Sequence, residues 1–345
     1  MSVNLSASAP PSLARSQSLL RPALEDAVRN LHPRQAEMAA YAFGWAELDG
    51  TARDTEGGKG LRPALVMLCA EAVGARAERV IPAAVAVELV HAFTLIHDDI
   101  IDGDERRRHR ATVWKAFGIG PALLVGDGLL ALAVKTLASA PGAEPAMGHL
   151  SAALVELVRG QADDVIFEGR TWTGDRAVTV EEYAQMATGK TGALLACAAA
   201  TGAALGGAPP ASAEVFSAMG RHLGLALQIV DDLLGIWGDP DVTGKPTFSD
   251  LRRRKKTLPV VAALAGGSPA ARSLAGLLDH GGGVDEETSR RAAGLIEEAG
   301  GRDFAERRAR AHVDHALRLA EEVSVDPAAT AELRAFAGYL VHRAL

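Results

Sequence analysis

The stretch VELVHAFTLIHDDIIDGDERRRH, residues 87–109, decides the fold. An apolar run of helical periodicity leads straight into a group of acids and then into three consecutive arginines. In a helix Asp98 and Asp102 stand four apart and Asp99 and Asp102 three apart, so their carboxylates gather at one side of the helix end. Like charges at that spacing repel, and the arrangement calls for a compensating partner. Carboxylates are hard oxygen ligands, and Mg²⁺ is held by one or two of them together with substrate phosphates. Taken alone, such a cluster reads equally well as a solvated acidic turn closing a helix.

The pattern recurs. LALQIVDDLLGIWGD, residues 225–239, again ends an apolar helical run in an acidic pair, Asp231 and Asp232, with Gln228 one turn earlier. Two facing helices can bring both clusters to one cavity. Acids concentrated there require divalent cations, and those cations favour a polyanionic ligand. Basic residues complete the set. EGGKGLRP, residues 56–63, places Lys59 and Arg62 at a glycine-rich helix start, where free N–H groups and the positive end of the helix dipole attract anions. Arg107 and Arg108 follow the first acids, Lys190 opens a helix in ATGKTGALL, and Lys245, Lys255 and Lys256 follow the second pair. A run such as RRRKK (252–256) is ordinarily a solvated strip, and its place directly after the second acidic pair raises the functional reading.

Composition sets the frame. The chain has 345 residues, 48% of them hydrophobic and 23% charged, enough to bury a large core. A net charge of −7 leaves no basic footprint for nucleic acid. Cys69 and Cys197, in Ala/Leu-rich surroundings and without CxxC spacing, read as core thiols of a reducing cytosol. The N-terminus lacks the basic start and continuous apolar core of a signal peptide, and its Ser, Ala and Pro content predicts a disordered lead to about residue 20, a docking segment being the minority reading. The uncharged stretch 191–213 breaks at Pro209-Pro210 and reads as a buried helix rather than a membrane span. Gly/Pro clusters separate roughly a dozen helical segments, with no hairpin signals and no sheet. The expectation is a soluble, cytoplasmic, all-α protein.

The ordered set GGKGLRP, VELVHAFTLIHDDIID…RRR, GQADDVIFE, ATGKTGAL and LQIVDDLLGIWGD…TGKP…DLRRRKKTLP resembles the trans-isoprenyl diphosphate synthases over about residues 35–345. The resemblance implies the isoprenoid synthase fold: one helical domain over 21–345 around a central cavity, usually a homodimer. It implies that Asp98, Asp99 and Asp102 hold Mg²⁺ against an allylic diphosphate and that Asp231, with Asp232 beside it, holds a further ion of a set of three. Arg107, Lys190, Thr191, Lys245 and Lys255 would contact the allylic diphosphate, with Gln161, Asp164 and Gln228 lining the same region. Lys59, Arg62, His91 and Arg108 would take the diphosphate of isopentenyl diphosphate, while His97 would be structural. The reaction would be head-to-tail condensation: the allylic C–O bond ionises, the isopentenyl double bond attacks, and a proton leaves to diphosphate.

Phe93, five residues before Asp98, would sit about 7.5 Å deeper along the helix at 1.5 Å per residue. A bulky residue there beside the small Thr94 is similar to enzymes making the C20 product, geranylgeranyl diphosphate. Farnesyl or longer products are the alternatives, then a class I terpene cyclase or a non-catalytic subunit. Three departures from the family pattern stand out. Gly235 replaces the third acid of the second motif, with Asp239 as a candidate substitute. His109 follows the arginines where glycine is common, and Phe248 and Arg254 stand where glycines are frequent in the lysine loop.

Overall fold

The computed structural model describes residues 9–53, 58, 60–240, 246–279 and 285–341. Its helices in chain order are α1 (Pro11–Val28), α2 (Pro33–Ala42), α3 (Leu61–Ala72), α4 (Ile81–Ile101), α5 (Val113–Phe117), α6 (Ile119–Ala138), α7 (Glu144–Glu168), α8 (Val180–Ala187), α9 (Ala193–Gly206), α10 (Pro210–Trp237), α11 (Ser249–Arg252), α12 (Leu258–Ala265), α13 (Pro269–Asp279), α14 (Glu286–Glu298), α15 (Gly301–Val323) and α16 (Pro327–Val341). The all-α architecture is the expected isoprenoid synthase fold. Helix α9, built almost wholly from Ala, Leu and Gly, is buried along nearly its whole length. It packs on α3, α4, α7 and α10, and so forms the centre of the bundle. The uncharged stretch beginning at 191 is therefore core, as its composition predicts.

Two expectations are corrected. Residues 11–20 are not a disordered lead but the first half of α1, which starts with proline at its first turn, where a missing N–H costs nothing. Leu13, Leu20 and Leu24 bury against the core, so burial outweighs the Ser/Pro-rich composition. The domain boundary drawn at residue 20 falls inside this helix. The absence of any sheet also fails. Arg106–Arg107 (β1) pairs antiparallel with Arg110–Ala111 (β2) across the turn Arg108-His109. Both turn residues have positive φ, 49° and 64°, the type I′ geometry that Asn-Gly fills without strain. Arg-His carries no such signal. The Arg106 guanidinium donates to the His109 carbonyl at 2.6 Å and ties the ribbon to its turn.

Just upstream, α4 stops in a way its sequence explains. Gly103 takes φ +66°, the Asp104 N–H donates to the Asp99 carbonyl at 2.8 Å and the Gly103 N–H to Ile100 at 3.3 Å. This is the paired closure of a Schellman motif. It ends α4 directly under the acids and turns the chain into the arginine ribbon.

The segment Ala77–Ile101 and helix α6 are each long and apolar enough to cross a membrane by composition. They pack on each other in the bundle, and α4 also lies on α3 and α9. A smaller second core joins Trp172, Ile236, Leu251, Val260, Leu274 and Ile296 under α11–α14. There the buried Lys256 ammonium lies 3.3 Å from the Trp172 ring centroid. Burial first, and Arg254 next, push that amine down to about 8.

Candidate active site

Helix α4 carries the first acids at its C-terminal end, each in a different state. Asp99 is buried, and Arg107 grips its Oδ1 through Nε at 2.9 Å and Nη2 at 2.8 Å. Asp98 is half-buried, and burial raises its carboxyl above the usual range against the opposing pull of Lys190. Asp102 accepts from Lys255 Nζ at 3.0 Å and lies 3.7 Å from Arg253 Nη1. Burial alone would raise Asp102, but Lys255, Lys190 and Arg253 together hold it below the ordinary range. Arg253 also pairs with Asp104. The RRRKK run is therefore not a free surface strip: Arg253 and Lys255 reach back to the first acidic cluster, while Lys256 turns inward onto Trp172.

Lys190 enters from a one-turn π-helix, Thr188–Gly192, between α8 and α9. Such bulges redirect a side chain within a helix and recur at functional sites. Glycines make room for it. A Cβ on Gly160 of α7 would stand 2.1 Å from the Lys190 backbone nitrogen, and one on Gly189 would stand 2.7 Å from the Glu156 carbonyl. That close approach sets Lys190 Nζ 2.5 Å from Asp164 Oδ2. Next in the chain, the Thr191 hydroxyl donates to Gln228 Oε1 at 2.6 Å. Gln228 in turn donates to Asp232 at 2.9 Å.

The second acidic pair divides its duties. Asp231 is exposed and its charge reaches Arg62 and Tyr183. Asp232 is buried and accepts from the Tyr183 hydroxyl at 2.6 Å and the Leu258 N–H at 2.8 Å through one oxygen, and from Gln228 through the other. Burial pushes its carboxyl up to about 7 against those donors. Asp232 therefore differs from the expected metal ligand: its oxygens brace α8, α10 and α12. Asp239 lies exposed beyond the end of α10.

A basic group forms at α3 and α4. Arg62 Nη1 lies 3.2 Å from His91 Nε2, and Arg62 Nε is buried with no hydrogen-bond partner. Burial, then Arg62, Arg108 and Arg107, hold His91 well below its usual pKa. Glu88, one turn before His91, feels Arg62 and Arg108. It was missed in the sequence, although three-residue spacing puts it on the face of His91. Tyr183 and Arg253 were missed as well. Tyr183 carried no signal, because only folding brings it to Asp232. Gln161 Nε2 is a second buried N–H without a partner. Lys59 and Lys245 lie outside the described residues. His97 points to the Leu123 carbonyl at 3.3 Å and packs edge-on against Phe93, with ring centroids 4.7 Å apart, as a structural histidine should. Thr94 donates to the His91 carbonyl at 2.8 Å.

Among the described residues no three acids, histidines or cysteines converge into a closed metal cage. The donor set still fits Mg²⁺. Asp98, Asp102 and Asp231 are hard oxygen donors, and this ion takes few protein ligands and completes its shell with water and phosphate oxygens.

An all-helical bundle that sets two acidic helix ends among basic side chains is the architecture of the isoprenoid synthases. The polyprenyl synthetase family model matches residues 51–293. A (2E,6E)-farnesyl diphosphate synthase of Mycobacterium tuberculosis H37Rv is 45% identical, over 96% of this chain and 93% of that protein. A geranylgeranyl diphosphate synthase of the same strain is 42% identical over 88% and 87%. The crystal structure of a polyprenyl synthetase from Streptomyces coelicolor A3(2) superposes with a TM-score of 0.90 at 47% identity, covering 96% of this chain and 98% of that one. The chain belongs to the polyprenyl synthetase family. It is a trans-prenyltransferase, and its chemistry is head-to-tail elongation of a prenyl chain.

Proposed function

We propose that this enzyme condenses isopentenyl diphosphate with an allylic diphosphate, in a Mg²⁺-dependent reaction, to give geranylgeranyl diphosphate. The observation that carries this is the pair of separate anion-seeking sites. The unpartnered Arg62 N–H beside His91 and Arg108 forms one, and Lys190 with the unpartnered Gln161 N–H forms the other. A terpene cyclase needs only a single diphosphate site, and a non-catalytic subunit has no use for the intact first acids.

Asp98, Asp102 and Asp231 would hold magnesium, three ions in all, and Lys59 and Lys245 would join the basic residues at the two sites. When bound, the metal neutralises charge developing on the departing diphosphate. Lys190, Lys255 and Arg107 add preorganised positive charge in the same place, and the apolar walls exclude water that would quench the cation. Phe93 and the small Thr94 favour a C20 product, and the farnesyl-making relative favours C15 as the second reading.

We further propose a cytoplasmic homodimer, with both cysteines as buried free thiols. Exposed apolar side chains line α6 (Ile119, Leu123, Leu124) and α7 (Val155, Val158, Val165, Ile166) and suit a second copy of the chain.

The test is incubation of purified protein with Mg²⁺, isopentenyl diphosphate and C5, C10 and C15 allylic primers, with the products sized by chromatography. Elongation stopping at C20 is expected, and Phe93→Ala should extend it. No elongation from any primer would overturn the function; an unchanged product from Phe93→Ala would remove Phe93 as the floor.

A further inference from the structure

Gly235 leaves the second acidic motif one carboxylate short, and the structure shows what stands in its place. At the point where a side chain on residue 235 would put its Cβ, Asp250 Oδ2 lies 2.0 Å away and Asp250 Cγ 2.4 Å away. No side chain fits at 235 unless the Asp250 carboxyl first swings out. The bare position on α10 and the acid on α11 therefore share one volume.

Helical geometry says what that volume adjoins. Residues 231 and 235 are four apart, so a side chain at 235 would stand beside Asp231, with Cβ atoms about 5–6 Å apart. The Asp250 carboxyl, lying in that volume, also flanks Asp231. Local bonds hold it there. The Ser249 hydroxyl donates to the Gly235 carbonyl at 3.2 Å and lies 3.3 Å from Asp250 Oδ1. The Phe248 N–H donates to the Ile236 carbonyl at 3.1 Å and the Lys255 N–H to the Asp250 carbonyl at 2.9 Å. Phe248 accepts a left-handed φ of 62° to start α11 at this spot, a conformation that a non-glycine residue adopts only under strain. That strain is spent turning the chain back onto α10. Neither other acid can take the role, because Asp232 is bonded to Tyr183, Leu258 and Gln228 and Asp239 lies past the helix end.

We propose that Asp250 is the third carboxylate of the second acidic wall and joins Asp231 in holding the divalent cation and diphosphate there. The side chain is supplied from α11 instead of from α10. This rests on the prenyl-elongation reading above, in which Asp231 faces the metal-bound diphosphate.

The test reads metal affinity rather than turnover alone. Mg²⁺ is titrated calorimetrically into the full-length protein in saturating inorganic pyrophosphate, for the wild type, Asp250→Asn, Asp250→Gly, Gly235→Asp, and the exchange variant Gly235→Asp/Asp250→Gly. Asp250→Asn keeps the size of the side chain and removes its charge, and should weaken Mg²⁺ by about tenfold. Gly235→Asp alone should also weaken it, because two carboxyls contend for one volume. The exchange variant restores one acid to that volume and should bind Mg²⁺ well above Asp250→Gly. Unchanged affinity in Asp250→Asn would overturn the proposal. So would an exchange variant that folds by circular dichroism and binds no better than Asp250→Gly. A wild type that elongates no primer defeats the functional reading itself; a wild type that elongates while Asp250→Asn matches it in Mg²⁺ affinity defeats only the role of Asp250.

Discussion

At the scale of single residues, neighbouring acids of one motif are given opposite environments. Asp231 faces outward, while Asp232 is sealed in and braces three helices. Its folded pKa of about 7 lies above the unfolded carboxylate value of 3.8. The folded protein thus binds the extra proton, and the stability this group contributes is full below about pH 4 and lost as pH rises through 7. The thermal-unfolding advantage of the wild type over Asp232→Asn should therefore be largest near pH 4 and shrink toward pH 7. A difference independent of pH would mean that Asp232 stays ionised throughout. The three departures from glycine have a common physical meaning: His109, Phe248 and Arg254 all sit at positive φ, 64°, 62° and 57°. Glycine adopts such left-handed backbone freely, and this chain takes the conformation with residues that strain to adopt it.

At the scale of elements, the π-helix carrying Lys190 depends on a bare crossing with α7. Gly160 and Gly189 let the two backbones meet within a distance no side chain tolerates. Gly160→Ala would drive its Cβ into the Lys190 backbone nitrogen, and because backbone cannot rotate away, the crossing must open. Overpacking of this kind costs about 1–3 kcal/mol. The expected outcome is a lower unfolding midpoint together with weaker allylic substrate binding, seen as a raised KM, since the Lys190–Asp164 pair moves with the segment. Retained midpoint and KM would show that the crossing has slack.

At the scale of the molecule, α4 and α10 carry the acids, α9 spaces the helices between them, and the small core under α11–α14 holds the lysine loop against the first acids. One face is left apolar. Replacing both Leu124 on α6 and Val158 on α7 by Glu should convert a dimer into monomers by sedimentation while helicity is kept, because charges buried in an apolar interface lose hydration without gaining partners. Unchanged mass would place any dimer contact elsewhere.

What the residue order determined by itself was what is local or periodic. The helical class follows from 3.6-residue spacing, the first acidic cluster from carboxylates one turn apart, and the second from an adjacent acidic pair closing an apolar helical run. What tertiary structure alone decided was which of those groups are buried and paired. Asp98 and Asp102 stay half-buried while Asp99 is buried against Arg107, Asp232 is consumed by Tyr183 and Leu258, and Lys255 and Lys256 diverge to Asp102 and Trp172. The arginine ribbon carried no turn signal, because its geometry is held by Arg106 against the preference of Arg108 and His109. The carboxyl beside Asp231 comes from a residue fifteen positions past the gap it fills, at Asp250 rather than Gly235. Burial, pairing and steric exclusion between residues distant in the chain are set by packing, and packing is not written in any one stretch of sequence.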